Sequence, residues 1–426
     1  MDLEGYNFHW REGYRYNFPI KRNAFDRLVK SLSSKRISVL TGTRRTGKTT
    51  LMKQMIDSLI TGGTPKDNIV YYSFDEGQPT LKDIVSDYES RIGKEIAFSK
   101  KKYFFFLDEV QKLDNWQNKV KYFYDHYKNI KFVISGSASL FIRKGTRESL
   151  AGRIKDFSLG PLTFDEYLTF KGKKEFILKP DMFSESLEAE FEKYLKRQYV
   201  EVVEEKEEEI RDYAKSIIEK VVYVDIPQLV NVENPNVLMR LVRIISSNPG
   251  MLLDYSNLAS TMGAETPLSR VRVSNYIHHL EDAYMVKIGY NYSKSGMVSE
   301  RKLKKAYLSN PSLSFIQETS SDLSKLAEQT FFLGLNAKFF WRNPQKEEVD
   351  IILEHNGKLL PVEVKFQKQI TKSDLRGIKS FMNQKHVKRG IVISRNTEDK
   401  KETSKGTLVF IPAWKAALFG LSKIER

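Results

Sequence analysis

At 426 residues the chain is too long for a single core and suits two or three domains. It has no cysteine and only 6 histidines, which excludes a disulfide framework and a thiolate metal site and leaves any metal to oxygen ligands. A formal net charge of +16 favours an anionic partner, nucleic acid before an acidic membrane surface, although a lysine-rich solvated face gives the same total. No apolar run approaches the roughly 20 residues of a membrane span. The first five residues lack the basic-then-apolar layout of a signal peptide, so the chain is expected in the cytoplasm.

Residues 1 to 36 interleave aromatics (Tyr6, Phe8, Trp10, Tyr14, Tyr16, Phe18) with basic residues (Arg11, Arg15, Lys21, Arg22), a composition suited either to stacking on bases or to packing on the core beside an adenine. A helix over 24–32 leads into a short buried strand, 37–40. Gly42, Thr43, Arg44, Arg45, Thr46, Gly47, Lys48 and Thr49 then fit G-x-x-x-x-G-K-[ST] at every fixed position, and an amphipathic helix follows from Thr50. In that setting the glycines let backbone N–H groups and the helix N-terminus face phosphate, Lys48 reaches the β/γ-phosphates of ATP, and Thr49 ligates Mg²⁺.

A further strand is expected from Asn68 to Phe74 and a helix from Leu81 to Ile92. Tyr103 to Glu109 reads as an apolar strand delivering two acids to the sheet's carboxyl edge. Asp108 would hold the Mg²⁺, and Glu109 would polarise the attacking water. Ile130 to Ser137 is another buried strand, ending in Ser135 and Ser137. Strands near 37, 69, 103 and 131 alternating with helices predict a three-layer α/β domain, with a mainly parallel sheet, over residues 1–160.

Glu148 to Arg153, followed by the run from Leu159 to Leu168 with its Pro161-Leu162-Thr163-Phe164-Asp165-Glu166-Tyr167 core, resembles the archaeal-type AAA+ ATPases found in archaea and bacteria. The resemblance covers nearly the whole chain. It implies a helical lid (161–235), a winged helix (236–318) and a C-terminal domain of restriction-endonuclease-like α/β fold (319–426). It makes Ser135 or Ser137 a candidate γ-phosphate sensor, against a plain strand-end turn. It also makes Arg153 a candidate finger toward nucleotide phosphate in its own or a neighbouring subunit, against a surface ion pair. A homo-oligomer is compatible with such a finger.

Between 201 and 211 lies the densest acidic run, read as a solvated face. Helices near 238–245, 256–262 and 269–285, then strands at 286–290 and 305–308, give the order of a winged helix. Arg270, Arg272, Lys294, Arg301, Lys302, Lys304 and Lys305 are its basic residues, for DNA contact or for none. A helix from Asp322 to Leu335 bears Glu328. The strands 348–353 and 361–366, joined through Asn356-Gly357, place Asp350 opposite Glu363 and Lys365. This matches the PD-(D/E)XK nuclease pattern with Val349 in place of the usual proline. Asp350 and Glu363 would ligate Mg²⁺ or Mn²⁺, Glu328 would support the metal, and Lys365 would steady the scissile phosphate. The expectation is an ATP-hydrolysing enzyme acting on DNA with a metal-dependent nuclease site; the alternative is an ATP-dependent switch with an inert nuclease-like domain.

Overall fold

The computed structural model describes residues 2–75, 77, 79–136, 150–263, 268–301, 303–316 and 322–421. The chain forms two compact units, Met1–Gly160 and Pro161–Arg426.

In the first unit, β1 (Ile37–Thr41), β2 (Ile69–Ser73), β3 (Tyr103–Asp108), β4 (Ile130–Gly136) and β5 (Ile154–Ser158) form a parallel sheet of order β2-β3-β4-β1-β5. The central strands are apolar on both faces because each face is covered by helices, as a parallel sheet requires. Val39, Val70, Phe105 and Ile134 pack against α3 (Leu81–Ile92) and α4 (Trp116–His126). Leu40, Tyr71, Phe106 and Val133 pack against α1 (Phe25–Ser31) and α2 (Lys48–Thr61) on the other side. The expected three layers are therefore present.

β2 is an edge strand, and its unpaired backbone is satisfied by the N-terminal segment. The Asn7 amide donates to the Tyr71 carbonyl (2.9 Å) and accepts from the Tyr71 N–H (2.6 Å), while Trp10 Nε1 donates to the Ile69 carbonyl (2.8 Å). Of the two uses considered for the N-terminal aromatics, core packing accounts for Tyr6 and Trp10, both part of the α3/α4 core. Phe8 and Phe18 stay exposed.

The second unit begins with helices, among them α5 (Phe164–Phe170), α6 (Ser184–Tyr194) and α7 (Glu207–Lys220). Glu207, Glu208 and Glu209 occupy the first turn of α7, where negative charge suits the positive end of the helix dipole. Next come α8 (Pro235–Ser247), α9 (Tyr255–Met262), α10 (Arg270–Asp282) and α11 (Leu323–Gly334). Nine strands make one mixed sheet: β6 (Met251–Leu252), β7 (Val286–Asn291), β8 (Lys304–Leu308), β9 (Phe339–Arg342), β10 (Glu348–His355), β11 (Lys358–Lys365), β12 (Arg389–Ser394), β13 (Asp399–Thr403) and β14 (Gly406–Pro412). Their order is β13-β14-β12-β11-β10-β9-β7-β8-β6. One face is covered by α12 (Arg376–Lys385) through Ile378, Phe381 and Met382.

The expected boundary at 318/319 runs through this sheet, because β7 pairs in parallel with β9. The boundary at 235/236 runs through a shared core, because Val222 and Ile226 before it and Leu238 and Leu241 after it belong to one buried cluster, which also includes Phe191, Phe331 and Phe366. Periodicity locates amphipathic stripes without saying which stripe meets which, so the lid, winged-helix and C-terminal segments read as separate in sequence and pack as one unit.

Candidate nucleotide site and carboxylate cluster

The glycine loop connects β1 to α2 at the carboxyl edge of the parallel sheet. A Cβ at Gly42 would lie 2.3 Å from the Leu159 carbonyl oxygen, and Gly47, at φ 89°, caps α2 in a left-handed conformation. Both positions therefore need glycine. Lys48 opens α2 and is buried, its ammonium donating to the Gly42 and Thr43 carbonyls at 3.1 and 2.9 Å. Thr46 Oγ1 braces the loop on the Thr43 carbonyl (2.9 Å). Arg44 and Thr50 are half-buried, and Arg45 is exposed at φ 61°.

Asp108 ends β3 and is the hub of the site. Its Oδ2 accepts from Thr49 Oγ1 (2.5 Å) and from the Tyr71 hydroxyl (3.0 Å); its Oδ1 accepts from Ser135 Oγ and from the Glu109 N–H (3.1 Å). The sheet order explains the meeting, since β4 carries Ser135 between β3 and β1. A hydroxyl and a carboxylate in contact form an all-oxygen donor set, which suits Mg²⁺. Glu109 turns away from the strand at φ 51°, and its Oε2 accepts from the Gln111 amide. Burial pushes the Glu109 carboxyl above its ordinary value; Lys48 opposes this and Asp108 adds to it. A carboxyl of raised proton affinity is better suited to proton transfer than an exposed one.

Two residues of this site are absent from the sequence-based assignment. Tyr71 binds Asp108 from β2, and its hydroxyl is kept protonated by burial and by that carboxylate. Arg22 is buried and donates to the Thr46 carbonyl (2.8 Å) and the Gly160 carbonyl (3.1 Å), tying the N-terminal segment to the loop. The position of Tyr71, two residues before the end of the strand beside β3, was a usable signal for Tyr71; nothing local marks Arg22. Ser137 lies outside the described residues.

Arg153 is at the other end of the sheet. Its carbonyl accepts from Ile37 N at the start of β1, while the loop leaves the far end of that strand, about 13 Å away at about 3.3 Å per residue. Its guanidinium makes a two-pronged contact with Asp125 at 3.1 and 3.2 Å. This is the surface ion pair that was the alternative to a phosphate contact, and it lies away from the loop of the same subunit.

In the second unit, Glu328, Asp350, Glu363 and Lys365 do converge. One extra residue on β10 between Val349 and Ile352, opposite Trp341 and Phe339, makes a bulge beside Asp350. Asp350 Oδ2 accepts from the Val364 N–H (2.8 Å) and lies 3.8 Å from Lys365 Nζ, which is 2.6 Å from Glu363 Oε1. The other Glu363 oxygen is buried without a hydrogen-bond partner. Burial, with Asp350 nearby, pushes the Glu363 carboxyl far up; Lys365 opposes this.

Lys305 departs from expectation. Assigned to the basic face of a wing, it is 3% exposed on β8, with its ammonium 2.9 Å from Glu328 Oε1, 2.6 Å from Glu348 Oε1 and 3.9 Å from Asp350 Oδ1. Strand alternation gave no reason to bury it, because its partners are distant in sequence. Among the other basic residues, Arg272 pairs with Glu233 (3.1 Å), Arg270 and Lys294 are exposed, and Lys304 lies over the Tyr290 ring. Lys302 and the Arg301 side chain fall outside the described residues. Among the described residues, no three His, Cys, Asp or Glu side chains are grouped so as to hold a metal ion, and no helix is long and apolar enough to cross a membrane.

Residues 34–168 match a family described as an AAA domain. The loop, the acidic strand and the parallel sheet of the first unit are consistent with a P-loop domain of the AAA type. Residues 191–318 and 323–415 match two further families, each described as a domain of unknown function. The chain is 24% identical to an uncharacterised protein of Haemophilus influenzae over 353 residues, 82% of this chain and 86% of that one. It is 27% identical to an uncharacterised protein of Methanocaldococcus jannaschii over 370 residues, 83% of this chain and 79% of that one. Among solved structures, the Walker-type ATPase of Pyrococcus abyssi aligns with 72% of this chain and 98% of its own, at 14% identity and a TM-score of 0.43. A score that low does not establish a shared arrangement of the whole chain.

Proposed function

We propose that the protein is an AAA+ ATPase that acts on DNA, with a winged-helix segment and a nuclease-like C-terminal region. The observation that carries the ATPase reading is the 2.5 Å contact between Thr49 and Asp108, with Lys48 and Glu109 beside it. Bound Mg²⁺ would neutralise charge on the β- and γ-phosphates. Lys48 would exchange its loop carbonyls for phosphate oxygens. Glu109, on the sheet edge and raised in proton affinity, would orient and deprotonate the attacking water. Ser135, bonded to Asp108, would report the state of that carboxylate to β4.

For the second unit, three helices followed by the β7–β8 hairpin support the winged-helix reading, and exposed Arg270 and Lys294 are available to phosphate. The meeting of Asp350, Glu363 and Lys365 supports a nuclease site. One observation favours the inert alternative, namely that Lys305 already occupies both Glu328 and Glu348. Labelled duplex, forked and four-way DNA incubated with the full chain and Mn²⁺, with EDTA as control, separates the two. Cleavage lost in Glu363→Ala but kept in Lys48→Ala supports the nuclease. No cleavage by wild type, or unchanged cleavage by Glu363→Ala, leaves the switch reading.

A further inference from the structure

The region around Lys305 holds four acids, Glu328, Glu348, Asp350 and Glu363, against three cations, Lys305, Arg342 and Lys365. The groups are shared unevenly. Lys365 serves Glu363, and Arg342 holds the second oxygen of Glu348 (2.7 Å). Lys305 lies against Glu328 and Glu348 and 3.9 Å from Asp350, and the Tyr307 hydroxyl completes Glu328 Oε1 (2.8 Å). The cluster is sealed on the side of Gly250, where a Cβ would come within 2.9 Å of Glu328 Oε1.

We infer that the Lys305 ammonium is a tethered cation that holds Glu328 and Glu348 together, with Asp350 3.9 Å away, and that it closes this half of the cluster to metal. The spacing carries the argument. Oxygens of Glu328 and Glu348 at 2.9 and 2.6 Å from one nitrogen are at most 5.5 Å apart, and a hard cation with oxygen ligands at about 2.3–2.6 Å would need them only slightly closer. An ammonium supplies one positive charge and three donors, and with Arg342 on the second oxygen of Glu348 it serves both Glu328 and Glu348 without a metal. The inference goes beyond the nuclease reading, on which it rests for the other half of the cluster: it removes Glu328 from any metal site and leaves Asp350 and Glu363, beside Lys365, as the acids on which metal-dependent cleavage would turn.

The test is Mn²⁺ binding to the full chain, followed by calorimetry and by thermal unfolding. Wild type should bind no Mn²⁺ that is sensitive to Glu348→Gln. Lys305→Ala should gain one site at least tenfold tighter than any in wild type, be stabilised by Mn²⁺, and lose that site again in the Lys305→Ala, Glu348→Gln double variant. Lys305→Arg, which keeps the charge, should gain nothing. If Lys305→Ala folds only with Mn²⁺, the inference is supported; if it folds in neither condition, the wild-type arm decides. Mn²⁺ bound by wild type and lost in Glu348→Gln or Glu328→Gln overturns the inference. Mn²⁺ bound by wild type and lost only in Glu363→Ala leaves it standing and speaks for the nuclease reading, so the two can fail separately.

Discussion

Glu190 offers a stability test whose size follows from its surroundings. It is 3% exposed on α6, and it accepts from the ammonium groups of Lys171 (3.1 Å), Lys173 (2.9 Å) and Lys193 (3.0 Å) and from the Tyr167 hydroxyl (3.1 Å). Burial raises its proton affinity, but the three lysines override this and hold the carboxyl at about 2 instead of 4.5. At about 1.4 kcal/mol per tenfold change in proton affinity, the ionised group stabilises the fold by about 3 kcal/mol at neutral pH. Solvent around the more exposed Lys173 and Lys193 reduces this to about 2 kcal/mol. The unfolded chain binds the proton more tightly, so the contribution is complete above about pH 4.5 and is lost as pH falls toward 2. Urea unfolding of wild type and Glu190→Gln should show a gap at pH 7 that narrows by about 1.4 kcal/mol between pH 5 and pH 2.5. A gap that does not change with pH would refute the reasoning, because it would mean that shape and not charge holds the hub.

Gly42→Ala should leave the chain folded and weaken nucleotide binding at least tenfold, since its Cβ must move about 1 Å to clear the Leu159 carbonyl and would carry the loop with it. Titration with a fluorescent ATP analogue reads this, and wild-type affinity would contradict it. Arg153→Ala should cost less than about 1 kcal/mol of stability, because its partner Asp125 is a surface residue. Its effect on ATP turnover should appear only between subunits. Mixing Arg153→Ala with Lys48→Ala subunits would show this, and equal loss in isolated and assembled forms would exclude a finger acting in trans.

How much was legible in sequence depended on the range of each interaction. The Gly42–Thr49 loop, the acids ending β3 and the hairpin bearing Asp350, Glu363 and Lys365 each show as short local patterns, and the elements formed where the patterns put them. The Asp108 hub was half visible: Thr49 and Ser135 come from motif positions, whereas Tyr71 enters through strand order, which no local pattern encodes. Arg153 had two readings for the same reason, since only the pairing of β5 with β1 shows which end of the sheet it occupies. Lys305 is the clearest case. A lysine in a basic stretch reads as solvated, and its burial depends on acids from α11 and β10, 23 and 43 residues away.

The account rests on ATP turnover at the Asp108 hub. The decisive measurement is steady-state ATP hydrolysis with Mg²⁺, with and without DNA, by wild type, Glu109→Gln and Lys48→Ala, beside ATP binding by the same proteins. Wild type should hydrolyse ATP. Glu109→Gln should bind it with similar affinity and turn over about 10²–10⁴-fold more slowly, and Lys48→Ala should lose hydrolysis altogether. Turnover by Glu109→Gln at the wild-type rate, or no turnover by wild type under any of these conditions, would contradict the central claim.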